Sequence, residues 1–309
     1  MKADWYPETP KVWTTLITNT KYLTGLIVLD YSLKKAGSKY PLVALYTDTF
    51  TEEGHAALDR RNIPKLKIEY LLPISSKDYS NDTRFYDCWT KLQPFSLTQF
   101  ERVVQLDSDM VVLQNMDELM DIKLGPDAVF AASHACVCNP YNKAHYPKDW
   151  VKENCAYTDY SAKKHSSVPQ DDFELDYKGP SSFSGLGICN GGLQVVQPSK
   201  ESYDKITQVL QNPSQTSDYD FADQSLLSDV FQGKWYALSY KYNALKTLAT
   251  IHSDLWDISE VKNVHYIISP KPWDVDESYD DDTETFKFWW DLNKKRLASE
   301  AEAGVKDEF

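Results

Sequence analysis

The chain has 309 residues, 42% of them hydrophobic and 13% aromatic, and a formal net charge of -13. The length suits one large α/β domain or two small ones. The charge argues against non-specific nucleic-acid binding and against an anionic membrane surface, and an anionic ligand would need local cations or a metal.

No apolar run approaches the length of a membrane span, and Met1–Thr9 is polar rather than a signal sequence. The five cysteines are odd in number and widely spaced, so reduced thiols in a cytoplasmic protein are expected. The closing Lys-Asp-Glu-Phe is close to an endoplasmic-reticulum retention signal; without a signal peptide it reads as coincidence. The 20 Tyr and 9 Trp suit stacking on sugar or base rings, although ordinary packing explains any one of them.

Val12–Asn19 is β-branched and predicts a strand. Thr20 is expected to cap the next element, a helix over Tyr22–Lys35 with apolar residues at helical spacing, ended by Gly37. Leu42–Thr47 predicts a second strand. Thr51–Asn62 predicts a helix with Glu52 and Glu53 in its first turn, and Leu66–Leu72 a third strand. Alternating strands and helices imply a parallel sheet whose strand C-termini face a ligand. The first strand is not followed by Gly-x-Gly-x-x-Gly but by Thr18-Asn19-Thr20-Lys21-Tyr22. A bound nucleotide would therefore need a metal and Lys or Arg for its phosphates.

Thr83–Gln99 reads as helical with a break at Pro94, and carries Arg84 and Lys91, either solvated helix charges or ligand cations. The organising stretch is Arg102–Leu113, read as one buried central strand. Side chains alternate along a strand, so Asp107 and Asp109 point one way and Ser108 the other. Two like charges inside a sheet are costly unless compensated, and a divalent cation with oxygen ligands is the economical answer. Asn115–Ile122 predicts a short helix and Val129–Ser133 a strand.

Asn139–Gly185 is polar and aperiodic, and reads as a long insertion or substrate loop. His134, Cys136, Cys138, His145 and Cys155 near its start are zinc-type ligands, but Cys-x-Cys with one distant Cys is not a zinc-finger spacing. In Gly187–Pro198, Asn190-Gly191-Gly192 sits beside an apolar strand, which suits either close approach of a ligand or backbone, or a bulge or turn. Ser199 caps a helix over Lys200–Gln211. Asp218–Phe231 predicts another, with Asp220 and Asp223 on one face and Gln224 beside them, as capping carboxylates or as site residues. Trp235–Tyr242 predicts a strand. Val261–Trp273 is an apolar strand with His265 inside it, followed by Lys271 held between two prolines, which fix its backbone. Phe286–Leu297 predicts an aromatic helix packing back on the sheet; the acidic stretch 276–284 and the tail after Ala298 are expected to be mobile.

Together VWTTLITNTKYLTG, CWTKLQPFSLTQFERVVQLDSDMVVLQNMDEL, CNGGLQVVQPS, DYDFADQSLL, KYNALK and VHYIISPKPW resemble, in order, the family-eight retaining glycosyltransferases, which include glycogenin and galactinol synthase. FAASHACVC, DISEVKNVHY and KFWWDL extend the likeness to galactinol synthase. The resemblance implies a GT-A fold: a Rossmann-like, mostly parallel mixed sheet flanked by helices. It implies one such domain over 1–275 with the polar insertion at 139–185, followed by an acidic segment, helix and tail over 276–309.

It also implies a UDP-glucose or UDP-galactose donor, Mn²⁺ (with Mg²⁺ as the alternative), and a small polyol or saccharide acceptor such as inositol. Asp107, Asp109 and His265 would be the metal ligands. Thr14, Asn19, Tyr22, Arg84, Lys91, Ser108, Asn190, Gly191, Gly192 and Lys271 would bind the donor. Asp223, Gln224 and Asp220 would face the reacting sugar. Expected partners are these small molecules, with no nucleic acid and no membrane, and a homodimer is left open. Two departures stand out. No glycine lies between His265 and Lys271, where the family usually has one. Leu245–Asp257, the region that carries glycogenin's acceptor tyrosine, contains no Tyr. A glycogenin-like glucan primer and a catalytically silent nucleotide-sugar-binding protein are the rival readings.

Overall fold

A computed structural model describes residues 5–124, 128–158, 160 and 178–309. The part of the expected insertion at 159 and 161–177 lies outside the described residues.

The first strand, β1 (Lys11–Ile17), leads through a 3-10 turn (Thr20–Tyr22) into helix α1 (Leu23–Lys35). Asn19, not Thr20, caps that turn, its side chain accepting from the Lys21 N–H. Strand β2 (Leu42–Tyr46), helix α2 (Glu52–Arg60, capped by Thr51) and a short β3 (Lys65–Lys67) complete the alternating unit. Helix α3 (Arg84–Cys88) passes into a 3-10 stretch, Trp89–Ser96, that takes Pro94 inside it.

The stretch expected as one central strand is two. β4 (Arg102–Leu106) belongs to the main sheet and β5 (Met110–Val112) to a second, and the chain breaks at Asp107-Ser108-Asp109. The short capped helix expected at 115–122 is a single 3-10 turn, Asp117–Met120. β6 (Phe130–Ser133), β7 (Leu193–Val196), helix α4 (Lys200–Leu210), a single turn α5 (Pro213–Thr216) and helix α6 (Ala222–Val230) follow. Then come β8 (Trp235–Leu238), β9 (Ala244–Leu245), α7 (Leu248–Ile251), β10 (Asn263–His265) and α8 (Phe286–Glu302).

The main sheet has the order β3-β2-β1-β4-β7-β6-β8, and β7 alone runs against its neighbours. The second sheet is β5-β10-β9. The core strands are buried on both faces, which is why Val103, Val104 and Leu106 read as one apolar run. α1 lies very close to the break after β4. A Cβ on Gly25 would stand 2.5 Å from the Ser108 carbonyl oxygen and 2.7 Å from the Trp273 ring.

The acidic stretch expected to be mobile instead caps α8. The Asp281 carboxylate accepts the N–H groups of Thr285 (2.6 Å) and Phe286 (2.8 Å). The expected mobile tail also differs: α8 runs on to Glu302, and Arg61, just past the end of α2, pairs with both Glu300 and Asp307 at 2.8 Å. Arg61 and Asp307 are both largely buried, so the pair is more than a solvated surface contact. Among the described residues, no helix is long and apolar enough to cross a membrane.

Candidate active site

Parallel strands deliver their C-termini to one sheet edge. β1 brings Thr18 and Asn19 there and β4 brings Asp107. Because β7 runs the opposite way, the residues before it arrive at the same edge. Leu106 faces Leu193 in register, and the Asp107 N–H donates to the Gly192 carbonyl at 2.8 Å. The small sheet supplies the third side. His265 on β10 pairs with Met110 on β5, and the Tyr266 N–H donates to the Asp109 carbonyl at 2.9 Å. The break at 107–109 therefore sits where two sheets meet, with His265 held against it.

His265 Nε2 lies 3.2 Å from Asp109 Oδ1 and 3.6 Å from Asp107 Oδ2. Its Nδ1 is 2.8 Å from Asn243 Oδ1, an acceptor, so Nδ1 carries the proton and a neutral ring turns the Nε2 lone pair to the carboxylates. Three acceptors facing one another call for a proton on Nε2 or a cation between them. Two carboxylate oxygens and an imidazole nitrogen fixed through its other nitrogen suit a divalent metal, and the three donors lie within 4.8 Å of one another.

Two lysines balance the carboxylates. Lys91 Nζ donates to Asp107 at 2.7 Å; Lys271 Nζ donates to Asp109 and, at 2.6 Å, to the Tyr266 carbonyl. Burial alone would raise the Asp109 pKa, but the Lys271 ammonium beside it outweighs this and holds the carboxyl well below its usual range. Burial works against the Lys91 ammonium as well, yet Asp107 keeps its pKa well above the ordinary lysine value.

A hydrogen-bonded chain runs inward from this triad. Asn243 Nδ2 donates to Asn190 Oδ1 at 2.8 Å, and Asn190 Nδ2 donates to Gln224 Oε1 at 3.3 Å. The two glycines leave room for side chains rather than for backbone. A Cβ on Gly191 would lie 2.4 Å from Asp223 Oδ2, and one on Gly192 would lie 2.4 Å from His265 Cε1. Asp223 is buried and accepts from Gln194 Nε2 at 3.3 Å. Burial, with Asp107 adding to it and Lys91 opposing, pushes its carboxyl up to about 7. At the outer rim Arg84 donates to the Tyr22 hydroxyl at 3.0 Å and is held by Asp82, while burial pushes Tyr22 up to about 12.

These groups surround a cavity of about 690 Å³, the size of a small-molecule site. Asn19, Tyr22, Arg84, Lys91, Asp107, Ser108, Asp109, Asn190, Gly191, Gly192, Asp223, Gln224, His265 and Lys271 all line it. Two expected residues do not. Thr14 is fully buried inside β1, its hydroxyl donating to Gln105 Oε1 at 2.6 Å. Asp220 does not share a helix face with Asp223, because α6 begins only at Ala222 and Lys77 takes its carboxylate. Sequence reasoning missed Asn243, which orients His265, and Trp150 and Phe221, whose stacked rings (4.4 Å between centroids) form a cavity wall. Asn243 stands in the quoted KYNALK motif, but nothing in its sequence neighbourhood marks it as a partner of a histidine 22 residues away.

A mixed Rossmann-like sheet with an acidic, lysine-flanked cavity at its C-terminal edge is the layout of a GT-A fold. The chain belongs to glycosyl transferase family 8, whose model matches residues 14–277. Galactinol synthase 1 of Solanum lycopersicum is 28% identical over 291 residues, covering 90% of this chain and 80% of the relative. Galactinol synthase 3 of Arabidopsis thaliana is 26% identical, with 93% and 82% covered. Protein R707 of Acanthamoeba polyphaga mimivirus is 24% identical, with 91% and 92% covered.

Among solved structures, the galactosyltransferase LgtC with donor and acceptor sugar analogues shares the fold at a TM-score of 0.59 and 15% identity, covering 92% of this chain and 96% of LgtC. The bifunctional glycosyltransferase WbbM superposes at a TM-score of 0.61 and 16% identity, with 94% of this chain covered; the chain spans half of WbbM's length.

Proposed function

We propose that the protein is a metal-dependent, retaining hexosyltransferase that moves glucose or galactose from a UDP-sugar to a hydroxyl of a small polyol or sugar, with inositol the leading acceptor. The observation that carries this reading is the convergence of Asp107, Asp109 and His265 with Lys91 and Lys271 at one cavity edge. The galactinol synthase relatives support the choice of acceptor.

Asp107, Asp109 and His265 would hold a divalent ion, Mn²⁺ by preference, which supplies charge stabilisation for a departing diphosphate. Lys271 and Lys91 would supply the site's cationic charge, each turning from its carboxylate to a phosphate oxygen. Asn19 and Tyr22 at the β1 edge would receive the nucleoside. Gln224, oriented by Asn190, and Asp223 face the sugar position, where they would stabilise the developing positive charge and hold the sugar hydroxyls. The acceptor hydroxyl would attack from the face the diphosphate leaves, beside the Trp150–Phe221 wall.

The test is UDP release from UDP-galactose and UDP-glucose, with and without Mn²⁺ and myo-inositol, with the intact protein mass recorded alongside. Release that needs both Mn²⁺ and the polyol is expected. Mass gain in hexose steps without an added acceptor would replace this reading with a glucan primer. Binding of UDP-sugar without turnover on any acceptor would replace it with a silent binding protein.

A further inference from the structure

A second group of metal-type side chains shares no residue with the carboxylate triad, although its Cys136 lines the same cavity. Cys136 and Cys138 follow β6, Cys155 closes the 3-10 turn Lys152–Asn154, and His252 closes α7. Their three sulfurs and one imidazole nitrogen all lie within 4.8 Å of one another. His252 Nε2 is 3.3 Å from the Cys138 sulfur and 3.6 Å from that of Cys155. A tetrahedral zinc with Zn–S of about 2.3 Å and Zn–N of about 2.0–2.1 Å sets neighbouring S and N donors about 3.6 Å apart, so both distances fit. Cys155 and His252 are each 1% exposed, and 97 residues separate them.

We infer that Cys136, Cys138, Cys155 and His252 bind one structural zinc ion. Four protein donors close a tetrahedron and leave no open position, so this ion holds structure and does no chemistry. On binding, the three thiols release three protons to solvent, His252 coordinates as the neutral imidazole through Nε2, and the site keeps a net charge of −1 with no change of oxidation state.

Such a site would tie three separate pieces of chain together. Between two of them runs the segment 139–154, which brings Asn139, Pro140, Tyr146 and Trp150 to the cavity wall. Two of the zinc-type residues noted near the start of the insertion do not join this group. His134 is engaged elsewhere, its Nε2 2.9 Å from the Ser181 carbonyl, and His145 lies outside the cluster, its ring against Tyr146. The proposal does not depend on the glycosyltransferase reading.

The experiment is metal analysis of the purified chain after dialysis against metal-free buffer. One zinc per chain is expected, released by a thiol-blocking mercurial. Asp109→Asn should keep that zinc, whereas Cys155→Ser and His252→Ala should lose it at least tenfold. Cobalt exchanged into the wild-type chain should show thiolate-to-metal charge-transfer absorption, a readout that survives if the variants fail to fold. The proposal is overturned if the reduced wild-type chain carries less than about a tenth of a zinc and takes up neither zinc nor cobalt. It is also overturned if Asp109→Asn removes the zinc, or if mass analysis of the native chain shows two of the three cysteines joined as a disulfide.

Discussion

The two metal-competent clusters differ in almost every physical respect. At the sheet edge the donors are hard carboxylates and one imidazole, each carboxylate is matched by a lysine, and the group opens onto a cavity. The Cys136–His252 cluster is soft, with three thiols and one imidazole drawn from loops and helix ends. Hard oxygen donors with lysines as alternative partners suit an ion that arrives with a phosphorylated ligand and leaves with it. Thiolates suit an ion that stays. The edge is also built against stability, with a buried carboxyl pushed up to about 7 and a β-branched residue, Ile268, at φ 63°. On these proposals one region would hold unfavourable local states for use, and a zinc in the other would fix the segment beside it.

The largest test of that contrast is Asp109→Asn. Loss of a ligand charge at the edge should lower Mn²⁺-dependent UDP release by at least about a thousandfold, since the stabilisation at stake is several kcal/mol. Activity within about tenfold of wild type would remove the metal from the edge and break the contrast.

Asp223→Asn should sharpen it. The native fold raises the Asp223 pKa from 3.8 to about 7, so the fold prefers the neutral acid. The stability this contributes is complete below the unfolded value and is lost as pH rises through about 7. The amide stays neutral, so the variant should be more stable than wild type by on the order of 3–4 kcal/mol at slightly alkaline pH, and less active. Chemical unfolding of both proteins from mildly acidic to mildly alkaline pH measures this, and parallel curves would contradict it.

Asn243→Ala frees the Nδ1 side of His265 and should weaken Mn²⁺ affinity about 10–100-fold, read by metal titration of UDP-sugar turnover. The same variant should leave the zinc content unchanged if the clusters are independent. Smallest of all, Ile268→Gly should stabilise the chain by about 1 kcal/mol in denaturant unfolding, because glycine takes the left-handed conformation without a Cβ clash. A destabilised variant would mean that Ile268 packing outweighs its backbone.

Much of this architecture was legible from residue order alone. The alternating first half followed from local pattern, because β1 and β2 are buried on both faces and read as short apolar runs, while α1 and α2 carry their buried residues at helical spacing. The compensated carboxylate pair was legible because charged residues inside an apolar run need partners, here Lys91, Lys271 and His265. That the run was two strands was not, since β5 continues the apolar, valine-rich pattern of β4 and only its pairing with β10 sends it to another sheet. Asp220 misled because a helix pattern does not reveal its first turn. The Ser225 hydroxyl accepts the Phe221 N–H, and the helix starts after Asp220. Thr14 followed a motif match and not a physical reason, and the strand's alternation turns its hydroxyl into the interior. His252 went unseen because a distance of 97 residues leaves no trace in local spacing.

Gly25 sets how deep the carboxylate turn sits. A methyl group there would press on the Ser108 carbonyl and on the indole of Trp273 together, and both flank the aspartates. The first helix thus works as a gauge block beneath the pocket floor. Its thickness, adjusted at one position outside the cavity lining, would shift the floor and the Trp273 wall in concert and carry the two aspartates with them, with no change to any side chain of the pocket.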